Sequence, residues 1–294
     1  MQIALATGEL HDPLLAAKAV VADAPLVGEL QARGATVHRP NWRDPAVDWS
    51  AFDTVIVRTT WDYRDDRDAF VDWAARVERS TLVHNPADVL RWNTHKSYLL
   101  ELEERGAPVI PTAWLGQGDA IDLASLLTMR SWRRAVLKPA VGAGGVGIRS
   151  VDAGDADDVA SAQAHLDALL QHGDAMVQSE LASARTRGEV SVIVIDGEPT
   201  HAVRARPAAG ADGPARRHAT VELEPLTRAL AELAMWTVEA AGTPLLYARV
   251  DLLDDELGVP QLNELEATEA NLYLDLNQDA AARLADGILA RLSA

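Results

Sequence analysis

The chain has 294 residues, 48% of them hydrophobic and 24% charged, the proportions of an ordinary globular protein with room for more than one lobe. A formal net charge of −17 argues against a nucleic-acid backbone or an anionic membrane as partner, and gives weight to any cationic side chain in a cleft. The absence of cysteine excludes disulfides, thiolate metal sites and cysteine nucleophiles together.

The chain opens directly as a strand, Gln2-Ile3-Ala4-Leu5-Ala6, with no basic n-region or apolar h-region, and no apolar run is long enough to span a bilayer. A cytoplasmic location is the expectation. Strands read at 2–6, 35–39, 54–58 and 81–84, with helical patterns between them at 13–33, interrupted near Pro25, and at 65–79. That alternation predicts a parallel sheet with helices on its faces, where ligands gather at the carboxyl ends of strands. Arg58-Thr59-Thr60-Trp61-Asp62-Tyr63 stands at such an end. Its guanidinium, hydroxyls, indole and carboxylate can pair with both ends of an amino-acid-like substrate. The plainer alternative has Trp61 in the core and Asp62 capping the next helix.

Beyond Asn85-Pro86 the pattern changes. A helix is predicted over 94–105, then a strand at 135–138, the loop Gly142-Ala143-Gly144-Gly145-Val146-Gly147 and a strand at 147–151. A helix at 155–172, a strand at 175–180 and a hairpin of 189–196 with 199–206, turned at Asp196-Gly197, come next. Residues 207–217 have the composition of a loop, and a helix over 224–241, a hairpin over 245–266 and a helix over 279–292 close the chain.

The glycine loop satisfies G-x-G-x-x-G, but a dinucleotide fingerprint needs a helix directly after it, and Ile148-Arg149-Ser150-Val151 reads as a strand. A P-loop lysine follows its glycines, whereas Lys138 precedes these. What remains is a strand–glycine loop–strand flap whose amides can close over phosphates, or a plain flexible turn. Lys138 favours the first, because a lysine in an apolar strand needs a partner to offset its burial. Lys96 alone reads as a helix-surface lysine. Gln178-Ser179-Glu180-Leu181 offers a strand end to an adenine edge, and Glu189 an acceptor for ribose hydroxyls. Arg204 and Arg206 share a strand face, either for an anion or as a solvated edge. Asp251, Glu264 and Glu266 are the most specific set. Period-two alternation sets Glu264 and Glu266 on one face, opposite Arg249 and Asp251 on the partner strand. Carboxylates so clustered repel unless they share a cation such as magnesium or manganese.

Taken together these motifs resemble the ATP-grasp superfamily along nearly the whole chain, nearest to its glutathione-synthetase-like and cycloserine-synthetase-like ligases. The resemblance implies an α/β protein with α+β lobes, an ATP-grasp fold behind a parallel α/β pre-ATP-grasp domain. It divides the chain into a substrate domain (1–92), a small lobe with the glycine flap (93–180) and a C-terminal lobe with the metal site (181–294). It implies that Lys96 and Lys138 hold phosphates, Gly142, Gly144 and Gly145 belong to the flap, and Gln178, Glu180 and Leu181 form the adenine hinge. Glu189 then binds ribose, Arg204 lies on the phosphate side, Arg249 steadies the acyl intermediate, and Asp251, Glu264 and Glu266 hold magnesium. Many relatives carry asparagine at the position of Glu266, and a proline-containing turn where this chain has Ala267-Thr268-Glu269-Ala270-Asn271. The expected activity is Mg-ATP-dependent activation of a small-molecule carboxylate for attack by nitrogen, with intramolecular ring closure as one version. A small-molecule kinase and a nucleotide sensor are the rivals, and a homodimer is a compatible assembly.

Overall fold

The computed structural model describes residues 1–9, 13–207 and 218–293. Strands β1 (Gln2–Thr7), β2 (Thr36–His38), β3 (Thr54–Thr59) and β4 (Leu82–His84) form the expected parallel sheet in the order β2-β1-β3-β4. The apolar runs of β1 and β3 suit a sheet covered on both faces. Ile3, Leu5 and Ile56 are buried on one side, Ala4, Ala6, Val55 and Val57 on the other. Helix α1 (Pro13–Ala32) runs through Pro25 instead of breaking there. Leu26 and Leu30 beyond the proline are fully buried, and their packing outweighs the lost backbone bond. Helix α2 (Arg67–Glu78) is capped by Asp66, which accepts from the Ala69 amide at 3.1 Å, and buries Phe70, Trp73, Ala74 and Val77.

The single helix expected over 94–105 is instead a pair, α3 (Ala87–Asn93) and α4 (Tyr98–Glu104). The Thr94 hydroxyl donates to the Leu90 carbonyl at 2.7 Å and ends α3, leaving a turn that carries Lys96.

The central part is an antiparallel sheet of β5 (Thr112–Leu115), β6 (Arg134–Pro139), β7 (Arg149–Asp152) and β8 (Ala175–Ser179), ordered β5-β8-β6-β7. Helices α5 (Leu123–Arg130) and α6 (Ala156–His172) cover it. Leu123, Leu127, Leu137, Leu166, Leu170 and Val177 form a core drawn only from this stretch of chain.

After the short α7 (Ser183–Thr186), strands β9 (Glu189–Ile195), β10 (Glu198–Pro207), β11 (His218–Glu224), β12 (Tyr247–Asp254) and β13 (Pro260–Glu266) make a second antiparallel sheet, ordered β11-β10-β9-β12-β13. The β9–β10 turn falls at Asp196-Gly197, both with positive φ (51° and 74°), as a two-residue hairpin requires. The helix expected over 224–241 is α8 (Arg228–Glu239), shorter because Glu224 ends strand β11 and Thr227 caps the helix. The loop expected over 207–217 lies, beyond Pro207, outside the described residues. One face of this sheet, with Val190, Val192, Val194, Ala202 and Val250, packs on α8. The other, with Ile193, Ile195, Val203 and Tyr247, packs on α9 (Gln278–Leu292) and on Leu5, Leu26 and Ile56 of the N-terminal part.

Two buried asparagines bolt that seam. Asn85 donates to the Tyr247 and Ala267 carbonyls (2.9 and 2.7 Å) and accepts from the Leu246 amide at 2.7 Å. Asn93 donates to the Leu265 carbonyl and accepts from the Ala267 amide, both at 2.7 Å. No helix among the described residues is long and apolar enough to cross a membrane.

Candidate active site

A cavity of about 560 Å³ opens between the central and C-terminal sheets. Lys138, the glycine loop and the end of β8 line one wall; Glu189, Arg249, Asp251, Glu264 and Glu266 line the other, with Lys96 between. Val136, Ile148, Leu181, Ala184 and Leu253 make part of the lining apolar, as a flat base would require.

The β12–β13 register sets Arg249 opposite Glu266 and Asp251 opposite Glu264, the pairing that alternation implied. One oxygen from each of Asp251, Glu264 and Glu266 lies within 4.8 Å of the others. A bulge follows Asp251, and it lets consecutive residues Asn263 and Glu264 both reach the cavity. Asp251 accepts from the Ser191 hydroxyl (2.6 Å) and from two guanidinium nitrogens of Arg249 (both 2.8 Å), and Arg249 also pairs with Glu266. Burial, with Asp251 and Glu264 as like-charged neighbours, pushes Glu266 well above the usual carboxylate range. The trio is hard, oxygen-only and overcharged, which fits a divalent cation such as magnesium.

Lys96 is buried and ion-paired with Glu264, and its amide donates to the Ala140 carbonyl at 2.8 Å, tying its turn to the end of β6. Burial alone would lower the Lys96 pKa, but Glu264 more than reverses that. Burial likewise pushes Glu264 up, and Lys96 and Lys138 bring it below its ordinary value. Lys138 donates to the side-chain oxygens of Gln178 (2.7 Å) and Asn263 (3.0 Å). With only neutral contacts, burial and nearby Lys96 leave its pKa lowered, so an anionic ligand would be a strongly favoured partner. The Asn263 amide passes on to Glu189 at 2.6 Å, and burial together with Asp251 pushes Glu189 up to about 7.

Gln178, Glu180 and Leu181 all line the cavity, but the Glu180 carboxylate is taken by Arg134 (3.1 Å) and Arg185 (3.5 Å). In the glycine loop, Gly144 and Gly145 both have positive φ (65° and 74°), a reversal that side chains would strain. The loop is held from outside its own lobe: the Tyr63 hydroxyl donates to the Gly142 carbonyl at 3.3 Å, and Arg64 Nη1 to the Ala143 carbonyl at 2.9 Å.

Other expected residues lie elsewhere. Arg204 does share a face with Arg206 and Ala202, but that face turns to α8, and Arg204 makes two 2.8 Å bonds to Glu224 while Ala205 lines the cavity. Arg58 is fully buried against Asp23 at 3.0 Å. Asp62 neither caps α2 nor lines the cavity; it accepts from Trp42 (2.9 Å), Arg43 (2.9 Å) and the Glu9 amide (3.1 Å). Trp61 is half-buried and donates to the Glu269 carbonyl at 3.2 Å.

Sequence reasoning passed over Asn263, Asn271 and Glu269. Asn263 sits inside the Asn-Glu-Leu-Glu run, but strict alternation turns it away; only the bulge brings it in. Glu269 belongs to the segment that departs from the family turn, and burial pushes it up to about 7 against the pull of Lys96.

The family model for the N-terminal domain of D-cycloserine synthetase DcsG matches residues 3–85. The cycloserine biosynthesis protein DcsG of Streptomyces lavendulae is 29% identical over 280 residues, covering 91% of this chain and 93% of that protein. The crystal structure of D-cycloserine synthetase DcsG superposes with a TM-score of 0.86 at 26% identity, over 99% of this chain and all of that one. D-alanine–D-alanine ligase from Bacillus anthracis complexed with ATP has the same fold (TM-score 0.73, 14% identity, 100% of this chain and 97% of that one). With this fold around this cavity, the chain belongs to the ATP-grasp superfamily of ATP-dependent carboxylate–amine ligases.

Proposed function

We propose that the protein uses Mg-ATP to activate the carboxylate of a small amino-acid-like molecule and then joins it to a nitrogen, with ring closure inside one molecule as the favoured version. The observation that carries this reading is one cavity bringing together two lysines, a glycine loop and three carboxylates. The likeness to the cycloserine biosynthesis protein over nearly the full length supports the ring-closing version. The lobes are taken as 1–92 for substrate, 93–180 for the flap and 181–294 for the metal site.

Asp251, Glu264 and Glu266 would hold magnesium, which when bound neutralises phosphate charge. Lys96 exchanges Glu264 for phosphate oxygens, and Lys138 exchanges its amide partners for the same. The strand end 178–181 meets the base and Glu189 the ribose. A substrate carboxylate oxygen attacks the γ-phosphorus, the bond to the bridging oxygen breaks, and ADP leaves. Nitrogen then attacks the acyl carbon, phosphate departs and the nitrogen loses its proton. Arg249, oriented by Asp251 and Glu266, faces the oxyanion of that second step, so catalysis is positioning plus electrostatics. Arg58 and Asp62 act by holding the shape of the turn after β3, Tyr63 by holding the glycine loop, and half-buried Trp61 borders the substrate. Arg204, paired with Glu224 on the face turned to α8, takes no direct part in the chemistry.

The test is a screen of amino acids and amino-acid-derived acids for magnesium-dependent release of ADP and phosphate, with mass spectrometry of the product. A product lighter than its substrate by one water supports ring closure. A stable phosphorylated product would make the protein a kinase instead.

A further inference from the structure

Three observations meet at the first half of the glycine loop. The Gly142 carbonyl accepts from Tyr63, and the Ala143 carbonyl accepts from Arg64, residues 79 positions earlier in the chain. The Ala143 side chain, 7% exposed, packs into the same hydrophobic cluster as Tyr63, Phe70 and Trp42 of the N-terminal part. The Tyr63 ring is itself fixed, 4% exposed and 5.4 Å from the Phe70 ring. The loop belongs to the central lobe, yet its first half is buried in a different one. Its second half is not: Val146 is 54% exposed, and Gly144 and Gly145 supply a backbone that can swing.

We infer that Tyr63 and Arg64 are positioning residues that clasp the closed glycine flap from the N-terminal lobe, so that retention of the nucleotide depends on that lobe. The inference rests on the nucleotide reading of the cavity. Tyr63 and Arg64 touch no phosphate; they act through the Gly142 and Ala143 carbonyls. Both lie on the short turn Trp61–Asp65 that also carries Trp61, whose indole reaches the Glu269 carbonyl beyond the carboxylate strand. A substrate that shifts this turn would therefore shift the grip on the flap, and nucleotide and substrate sites would be linked through one rigid segment.

The experiment has two readouts on wild type, Arg64→Ala, Arg64→Lys and Tyr63→Phe. Hydrogen exchange across 142–147 in protein without nucleotide reads the clasp alone. It should speed up about tenfold in Arg64→Ala, the size expected for losing one charge-assisted bond, with partial rescue in Arg64→Lys and no change across β1 and β3. Stopped-flow release of Mg-AMPPNP should accelerate by a similar factor, with the association rate unchanged. Unaltered exchange in both Arg64→Ala and Tyr63→Phe overturns the clasp. Acceleration that spreads to β1 and β3 also overturns it, since the residues would then merely hold the lobe together. If wild type binds no Mg-AMPPNP, the nucleotide reading fails, and the exchange result still decides the clasp.

Discussion

At the residue scale the cavity is a set of charges each already engaged: Lys96 with Glu264, Arg249 with Asp251 and Glu266, Lys138 with two neutral amide oxygens. The carboxylates therefore differ in what their loss would do. Glu264→Gln and Asp251→Asn should both abolish turnover. Glu264→Gln should also cost about 2 kcal/mol of stability, because it leaves Lys96 buried without its counter-charge. Glu266→Gln keeps an acceptor for Arg249 and removes one of three crowded negative charges, so stability should hold or rise. Urea unfolding without magnesium separates the variants, and equal losses in all three would contradict the pairing described. Lys138→Ala should weaken Mg-AMPPNP binding in calorimetry at least tenfold, and unchanged affinity would remove Lys138 from the phosphate site. The carboxylate set was legible from its fixed parity on paired strands, and Lys138 because a lysine in an apolar strand needs a partner. Arg204 shows the limit of that logic: parity tells which residues share a face, but only the packing of α8 tells which face turns from the cavity.

At the element scale the strand–glycine loop–strand order was readable because Ile148-Arg149-Ser150-Val151 leaves no helix for a dinucleotide turn, and β7 runs from Arg149 to Asp152. Strands β1 and β3 were equally plain, their centres being continuous apolar runs. Strand β11 was not, since its Val221 and Leu223 are exposed on an edge and leave no buried alternation to read. Strand β5 and helix α5, four and eight residues long, are too short for periodicity to declare them. One junction makes a sharp prediction. Gly188, between α7 and β9, has φ of 83°, and a Cβ there would lie 2.1 Å from the Ala205 carbonyl oxygen of β10. Gly188→Ala should cost roughly 2 kcal/mol or more and displace Glu189 beside it. Thermal unfolding reads the first effect and weakened Mg-AMPPNP binding the second; a wild-type melting curve would show that β10 can yield.

At the scale of the whole molecule, the N-terminal and C-terminal sheets share one hydrophobic core and the Asn85 and Asn93 bolts. His84 lies buried at this seam, held to about 4 by burial and secondarily by Arg291 of α9, and its Nε2 has no hydrogen-bond partner among the described residues. A histidine depressed in the folded state stabilises above its unfolded pKa, and that stability is lost as pH falls through the folded one. The window is pH 6.5 down to 4, with a loss on the order of 2 kcal/mol. His84→Leu should flatten the stability profile there relative to wild type in urea titrations, and parallel profiles would absolve His84.

The central sheet has a core of its own from Ala113 to Val177, although its other face lends Met176 and Trp114 to the C-terminal core. A separate core of this kind predicts that the stretch melts as a unit of its own. Calorimetry should show two endotherms, and Leu166→Ala, at a fully buried position in that core, should lower only one of them. The same core means that residues 111–180 could be exchanged for the matching stretch of a relative: the glycine loop would change owners while the seam stayed with the host.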